Sequence, residues 1–278
     1  MNLSGGIEML LVWINAAVAT IGQDPLLTAS LSEAIPSVYS LVMTVSSVVI
    51  RPIGWTILSV VFLIEMYKIL TRDGGFSQGS KVMEYVLFTI VNMMVLKVVI
   101  DAAPILLKLF FDTGTWIASG IADSSGIGSS GLAVDADQVT KAIGSDIGTQ
   151  LVCMILLFIV FLIATITGYA AKGILLGRFI QLYIYLAFSP LPLATLPSAE
   201  LRNRAINFLM SFFALSIQGA VLMMIMAMFP YIVGEAMTNY DWSADWVGGL
   251  VLFTFYSVVL FAAVFSSNRI SKAILGGA

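Results

Sequence analysis

Residues 172–204, KGILLGRFIQLYIYLAFSPLPLATLPSAELRNR, decide how this chain folds. The stretch is hydrophobic enough for a lipid bilayer, yet Pro190, Pro192 and Pro197 interrupt it. Basic residues stand at both ends, Lys172 and Arg178 before the prolines and Arg202 and Arg204 after them. Proline removes a backbone donor and ends or kinks a helix, and open backbone is tolerated at membrane depth only where protein or a water-filled cavity shields it. The stretch therefore reads as a re-entrant element that enters and leaves on one side, in a protein that conducts or assembles rather than catalyses.

Composition places the whole chain in the same setting. Its 278 residues are 59% hydrophobic and 10% charged, with a mean hydropathy of +1.01, whereas soluble domains carry roughly 25% charge. At about 20 residues per span the length leaves room for five or six spans and little else, which predicts one membrane domain over residues 1–278. There is no histidine, so the commonest general base and metal ligand is missing. Cys153 lies in the lipid-depth stretch VCMILLFIVFLIA and reads as a small buried apolar residue. GSSGLAVD lacks the lysine and the strand–helix setting of a nucleotide loop, and the carboxylates are mostly solitary. No catalytic, cofactor or metal site is expected, and residues 1–20 carry no basic run of the kind that opens a secretory signal.

Working outward from the broken stretch gives an all-α, polytopic layout. Residues 1–35 form an extracytoplasmic segment whose apolar run 7–21, interrupted by Glu8 and Asn15, suits an interfacial helix. Residues 36–111 hold the first two spans. One covers 52–70, led into by a protruding or interfacial helix over 38–50; two short membrane passages are the second reading of this run. The other covers 83–111, with Pro104 near its far end. Residues 112–148 are rich in Gly, Ser and Asp and read as an extracytoplasmic loop. Residues 149–278 hold three more spans, 150–171, 206–229 and 246–265, together with the re-entrant segment 172–204. Orientation follows the basic residues of the short loops. Arg72, Lys81, Lys172, Arg178, Arg202, Arg204, Arg269 and Lys272 mark the cytoplasmic side, giving five spans with the N-terminus outside and the C-terminus in the cytoplasm. If 172–204 crossed fully, the last two spans would invert and Glu235, Asp241 and Asp245 would lie inside.

Charges within the apolar helices are the candidate functional residues. Lys97 and Asp101 stand four apart in the middle of the second span and so share one helix face. They read as a polar pore lining or proton relay, or else as a self-neutralising pair that fixes packing, since a lone charge at the bilayer centre costs roughly 2.5–3.5 kcal/mol on insertion scales. Glu65 and Lys68, three apart, read the same way. Arg178 reads as snorkelling to the cytoplasmic interface or as contacting a partner. Met223, Met224, Met226 and Met228 suit an adaptable packing surface, and Trp116, Trp242 and Trp246 an outer aromatic belt.

The layout, with the glycine-rich exterior loop and the broken cytoplasmic segment YLAFSPLPLATLPS (185–198), resembles the polytopic inner-membrane channel subunits of type IV secretion systems, the TrbL-type proteins of conjugation machines. An apolar helix ending in Ala-x-x-Pro, then more prolines, then basic residues is matched over 187–204. The resemblance implies a non-enzymatic subunit of the bacterial inner membrane that forms a homo-oligomer, a small ring. It would contact other channel subunits, cytoplasmic ATPases and, transiently, the DNA–protein substrate, with Arg178, Pro190, Pro192, Arg202 and Arg204 on the cytoplasmic contact. The acidic outer loops would repel phosphate, so contact with DNA is expected to be brief. Two other readings stay open: a small-solute or proton-coupled transporter built on Lys97 and Asp101, and a platform subunit of another export or injection apparatus.

Overall fold

The computed structural model describes residues 4–72, 79–125, 136–143 and 146–275. Among them the chain is helical throughout: α1 (Ser4–Gly22), α2 (Leu31–Ala34), α3 (Pro36–Val45), α4 (Arg51–Arg72), α5 (Gly79–Ser125), α6 (Ala136–Ile143), α7 (Ile147–Phe188), α8 (Pro190–Leu193), α9 (Arg202–Thr238) and α10 (Trp246–Ile274). A wide π-type turn, Ser46–Ile50, joins α3 to α4 without a break. Six of the described stretches are long and apolar enough to cross a membrane: Gly5–Leu27, Pro36–Thr71, Met83–Ser125, Ile147–Phe188, Arg202–Thr238 and Trp246–Ile274. The hydropathy pattern predicts five, with the run 7–21 as an interfacial helix; the structure adds Gly5–Leu27 as a sixth stretch of membrane length.

Two boundaries differ from those read in the sequence. The helix expected to stop near 171 runs on to Phe188, so the proline break is confined to residues 189–201. Lys172 and Arg178 therefore lie inside a helix rather than at its end. The glycine- and serine-rich loop expected over 112–148 is partly helical: 112–125 continue α5 and 136–143 form α6, while 126–135 and 144–145, also expected as loop, lie outside the described residues. Serine and threonine are tolerated in that helix because their hydroxyls bond back to carbonyls of the preceding turn, Thr113 to Leu109, Ser119 to Thr115 and Ser124 to Gly120.

Contacts gather the chain into two compact units. The first comprises Met1–Ala29, Gly114–Gly177 and Ile217–Ser271. In α1, Ile7, Leu10, Ile14, Val18 and Ile21 recur at helical spacing and are buried. They join one core with Cys153, Leu157 and Val160 of α7, Met223, Met226 and Phe229 of α9, and Phe253 and Leu260 of α10. The Met cluster thus splits by face: Met223 and Met226 are buried while Met224 and Met228 are exposed. Trp242, expected in an outer aromatic belt, is buried and donates to the Met237 carbonyl at 3.3 Å.

The second unit comprises Ser30–Thr113, Arg178–Ser216 and Lys272–Ala278. Its entry is a capping box, in which Glu33 accepts from both the N–H and the hydroxyl of Ser30. Those bonds, the hydroxyl's first, hold the Glu33 carboxyl below its ordinary range. Leu58 of α4, Ile100 and Ala103 of α5, and Leu193 and Ala194 of the break form a small core. Aromatic pairs tie α5, α7 and α9 together: Phe179 meets Phe111 at 5.8 Å, Tyr185 meets Phe208 at 5.0 Å, and Phe110 meets Phe213 at 5.5 Å.

Candidate functional site

Glu65, Lys68, Lys97, Asp101, Arg178, Pro190, Pro192, Arg202 and Arg204 all fall within the second unit. Gly54 of α4 brings the break close: a Cβ there would stand 3.1 Å from both the Cβ and the carbonyl oxygen of Pro190. Pro190, Leu193 and Ala194 are buried, while Pro192 is half-buried. Prolines withhold N–H groups from the carbonyls one turn earlier, and the break repairs this locally. The Ser189 hydroxyl donates to the Leu186 carbonyl at 2.9 Å, the acceptor that Pro190 leaves open. Successive turns follow, with Ala194 N–H on Pro190 O, Thr195 N–H on Pro192 O and Leu196 N–H on Leu193 O, all at 3.1–3.2 Å. Arg202 and Arg204 are exposed where α9 begins.

Lys68, near the end of α4, reaches Glu65 at 3.3 Å and Glu200 of the break at 3.0 Å. The predicted Glu65–Lys68 pair forms and gains a third member. Glu200 is 77% exposed, so the link positions more than it stabilises.

Lys97 and Asp101 are arranged differently from the sequence expectation. Among the described residues the cation facing Asp101 is Arg51, the first residue of α4, with Nε 3.9 Å from Oδ1. Trp55, one turn on, donates Nε1–H to the same oxygen at 2.9 Å, and Lys97 Nζ sits 5.5 Å from the Trp55 ring centroid. Trp55 therefore joins Asp101 to Lys97, and the cluster carries two cations and one anion. Arg51 opens α4, but α3 runs into α4 through the π-type turn, so the cluster falls inside the apolar stretches Pro36–Thr71 and Met83–Ser125. The signals that mark these partners in the sequence are Arg51-Pro52 inside an apolar run and Gly54 inside a helix.

Arg178 does not snorkel. It is 2% exposed because α7 continues beyond it. Its Nε donates to the Leu215 carbonyl at 2.9 Å and its Nη2 to the Ser216 carbonyl at 3.0 Å, both on α9. Its guanidinium carbon lies 5.1 Å from the Phe111 ring centroid and 5.7 Å from that of Phe179. A buried charge without such partners costs several kcal/mol, and a flat guanidinium suits both the carbonyls and the rings. Among the described residues no group of three or more His, Cys, Asp or Glu is placed to hold a metal ion.

The arrangement offers polar contacts on an apolar scaffold. Comparison with family models matched residues 14–190 to the TrbL/VirB6 plasmid conjugal transfer like protein family. The match takes in Glu65, Lys68, Lys97, Asp101, Arg178 and Pro190 and ends before Pro192, Arg202 and Arg204. Comparisons with curated proteins and with solved structures returned no match. A match over more than half of a chain whose described residues hold six apolar, membrane-length helices is decisive: the chain belongs to the TrbL/VirB6 plasmid conjugal transfer family, the multi-pass inner-membrane subunits of conjugal, type IV secretion machines.

Proposed function

We propose that this subunit assembles as a homo-oligomer, a small ring, that organises the inner-membrane part of the conjugal channel and helps pass the DNA–protein substrate. The observation that carries the reading is the Arg51–Trp55–Lys97–Asp101 cluster. Asp101 is 38% and Arg51 25% exposed, on helices whose neighbouring Val48, Val60, Met94 and Val98 are also exposed. Half-exposed charges on an apolar helix surface call for a covering partner or a wet conduit, and a second copy supplies either. Lys97 and Asp101 are then the polar lining or the contact between copies. On the other end of α4, Lys68, Glu65 and Glu200, with exposed Arg202 and Arg204, form the surface proposed for the cytoplasmic ATPases, and Arg178, Pro190 and Pro192 hold that surface in place.

In-cell photo-crosslinking tests this. A crosslinking residue at Val98, exposed beside Lys97, is expected to give protomer–protomer adducts in cells that carry the whole machine, and one at Arg204 adducts to a cytoplasmic ATPase. Monomer alone at Val98 overturns the assembly, and DNA adducts on the 112–148 region stronger than those to neighbouring subunits overturn the organising role.

A further inference from the structure

In the first unit α1 and α7 come close at two points. A Cβ on Gly6 would stand 3.3 Å from Met154 Cε, and one on Gly168 would stand 3.5 Å from the Ala17 carbonyl oxygen. Between these points the helices part and leave two adjoining cavities that share Trp13. One, of about 560 Å³, is walled by Met9, Leu10, Leu151, Ile155 and Phe158 and is apolar throughout. The other, of about 340 Å³, adds Thr20, Thr165, Tyr169 and Lys172. Trp13 and Phe161, with ring centroids 5.8 Å apart, stand beside the junction.

We propose that this groove binds one phospholipid with an anionic headgroup, its acyl chain in the apolar cavity and its phosphate at Lys172. Three observations converge on that occupant. The groove has the polarity of an amphiphile, apolar at one end and hydroxyl- and ammonium-bearing at the other. Its lining holds a cation and no carboxylate, so the favoured headgroup is anionic, and a lysine on a flexible stem suits a phosphate at a membrane interface. The Thr165 hydroxyl is buried at the polar end with no hydrogen-bond partner, a donor that an ester or phosphate oxygen would satisfy. The length also fits. From Met9 to Thr20 α1 rises about 16 Å, close to the roughly 15 Å that one leaflet contributes to a hydrocarbon layer of about 30 Å. The site goes beyond the conjugal role and needs only that the chain resides in a bilayer.

The full chain, exchanged into nanodiscs of mixed phosphatidylglycerol and phosphatidylcholine and then released for native mass spectrometry, tests the site. Wild type is expected to retain one phosphatidylglycerol per protomer in preference to phosphatidylcholine. Lys172→Gln, an exposed change that leaves the core intact, is expected to cut that retention tenfold or more. Ile155→Trp, which fills the apolar cavity, is expected to abolish it. Equal retention of the two lipids, or wild-type retention in Lys172→Gln, overturns the proposal. So does a loss of oligomer in Ile155→Trp with lipid retention unchanged, because the groove would then seat a second copy.

Discussion

Replacing Gly54 by alanine isolates the contact that sets the proline break against α4. A Cβ at Gly54 would stand 3.1 Å from two Pro190 atoms, one a ring carbon and one a backbone oxygen, and 3.4 Å from the Pro190 carbonyl carbon. Ordinary carbon contacts begin near 3.5 Å, so about 0.4 Å must be found. Pro190 has little freedom to give it. Its ring is rigid, and the residues that follow, Leu193 and Ala194, are locked in the core with Leu58 and Ile100. Overpacking of this size costs about 1–3 kcal/mol. Alanine also gains about 1 kcal/mol over glycine inside a helix, which would mask part of the effect.

Gly173 of α7 removes that ambiguity. It too is helical, and nothing lies within 4 Å of a Cβ placed there. Gly173→Ala collects the helix gain without the clash, so the difference between the two variants reports the clash alone. At about 2–4 °C per kcal/mol for a chain of this size, Gly54→Ala is expected to melt about 2–12 °C below Gly173→Ala. Trp55 beside the site provides an intrinsic fluorescence signal for the purified protein. Equal melting temperatures would refute the reasoning, since the break would then not be held against α4.

Arg178→Met keeps volume between Phe111 and Phe179 while removing the charge, whereas Arg178→Ala opens a cavity there; thermal melts are expected to rank alanine below methionine by about 1–3 kcal/mol, and the reverse order would contradict a packing role. Asp101→Asn keeps an acceptor for Trp55 but leaves Arg51 and Lys97 without an anion, while Asp101→Ala loses both; a cycle with Arg51→Ala is expected to show that the double variant loses less stability than the sum of the singles, and simple additivity would mean the pair is uncoupled. Outside the spans, the Ser243 hydroxyl and N–H hold the Asp241 carboxyl below its ordinary 3.8. A depressed folded value stabilises the 239–245 turn above the unfolded value and loses that support as pH falls through the folded one. Hydrogen exchange in this turn is expected to accelerate only on acidification below the ordinary range and at higher pH in Ser243→Ala; an unchanged profile would show that the hydroxyl does not hold the turn.

The class of fold is legible from hydropathy because every long helix is apolar over a membrane's length. The ends of those helices are less legible, since two kinds of signal compete. Lys172 and Arg178 look like interface markers, yet only proline interrupts hydrogen bonding, and α7 duly continues to Ser189's threshold. The serines of 119–125 look like loop, yet each can return its hydroxyl to the turn before. Side-chain pairing is harder again. Spacing of four on one helix suggests Lys97 with Asp101, but the cation that faces Asp101 is 50 residues earlier in the chain, at Arg51, a long-range choice that no local period encodes. Gln218 and Ser267, bonded at 3.4 Å between α9 and α10, are invisible to sequence for the same reason.

The proline break shows how such a segment survives without water. Three prolines delete three donors, which leaves carbonyls in need of partners within an apolar setting. Ser189 supplies one from its side chain, and for Pro197 the acceptor left open, the Leu193 carbonyl, is taken by the Leu196 N–H. Pro190 thus lies buried against a glycine. Of the two shields that exposed backbone can have at membrane depth, the one in use at Pro190 is protein. The sequence locates the break through its prolines, but the shield is set by two small residues, Ser189 and Gly54, that carry no hydropathy signal of their own. Gly54 lies 136 residues before Pro190 in the chain, so only the packed helix pair reveals what the break is built against.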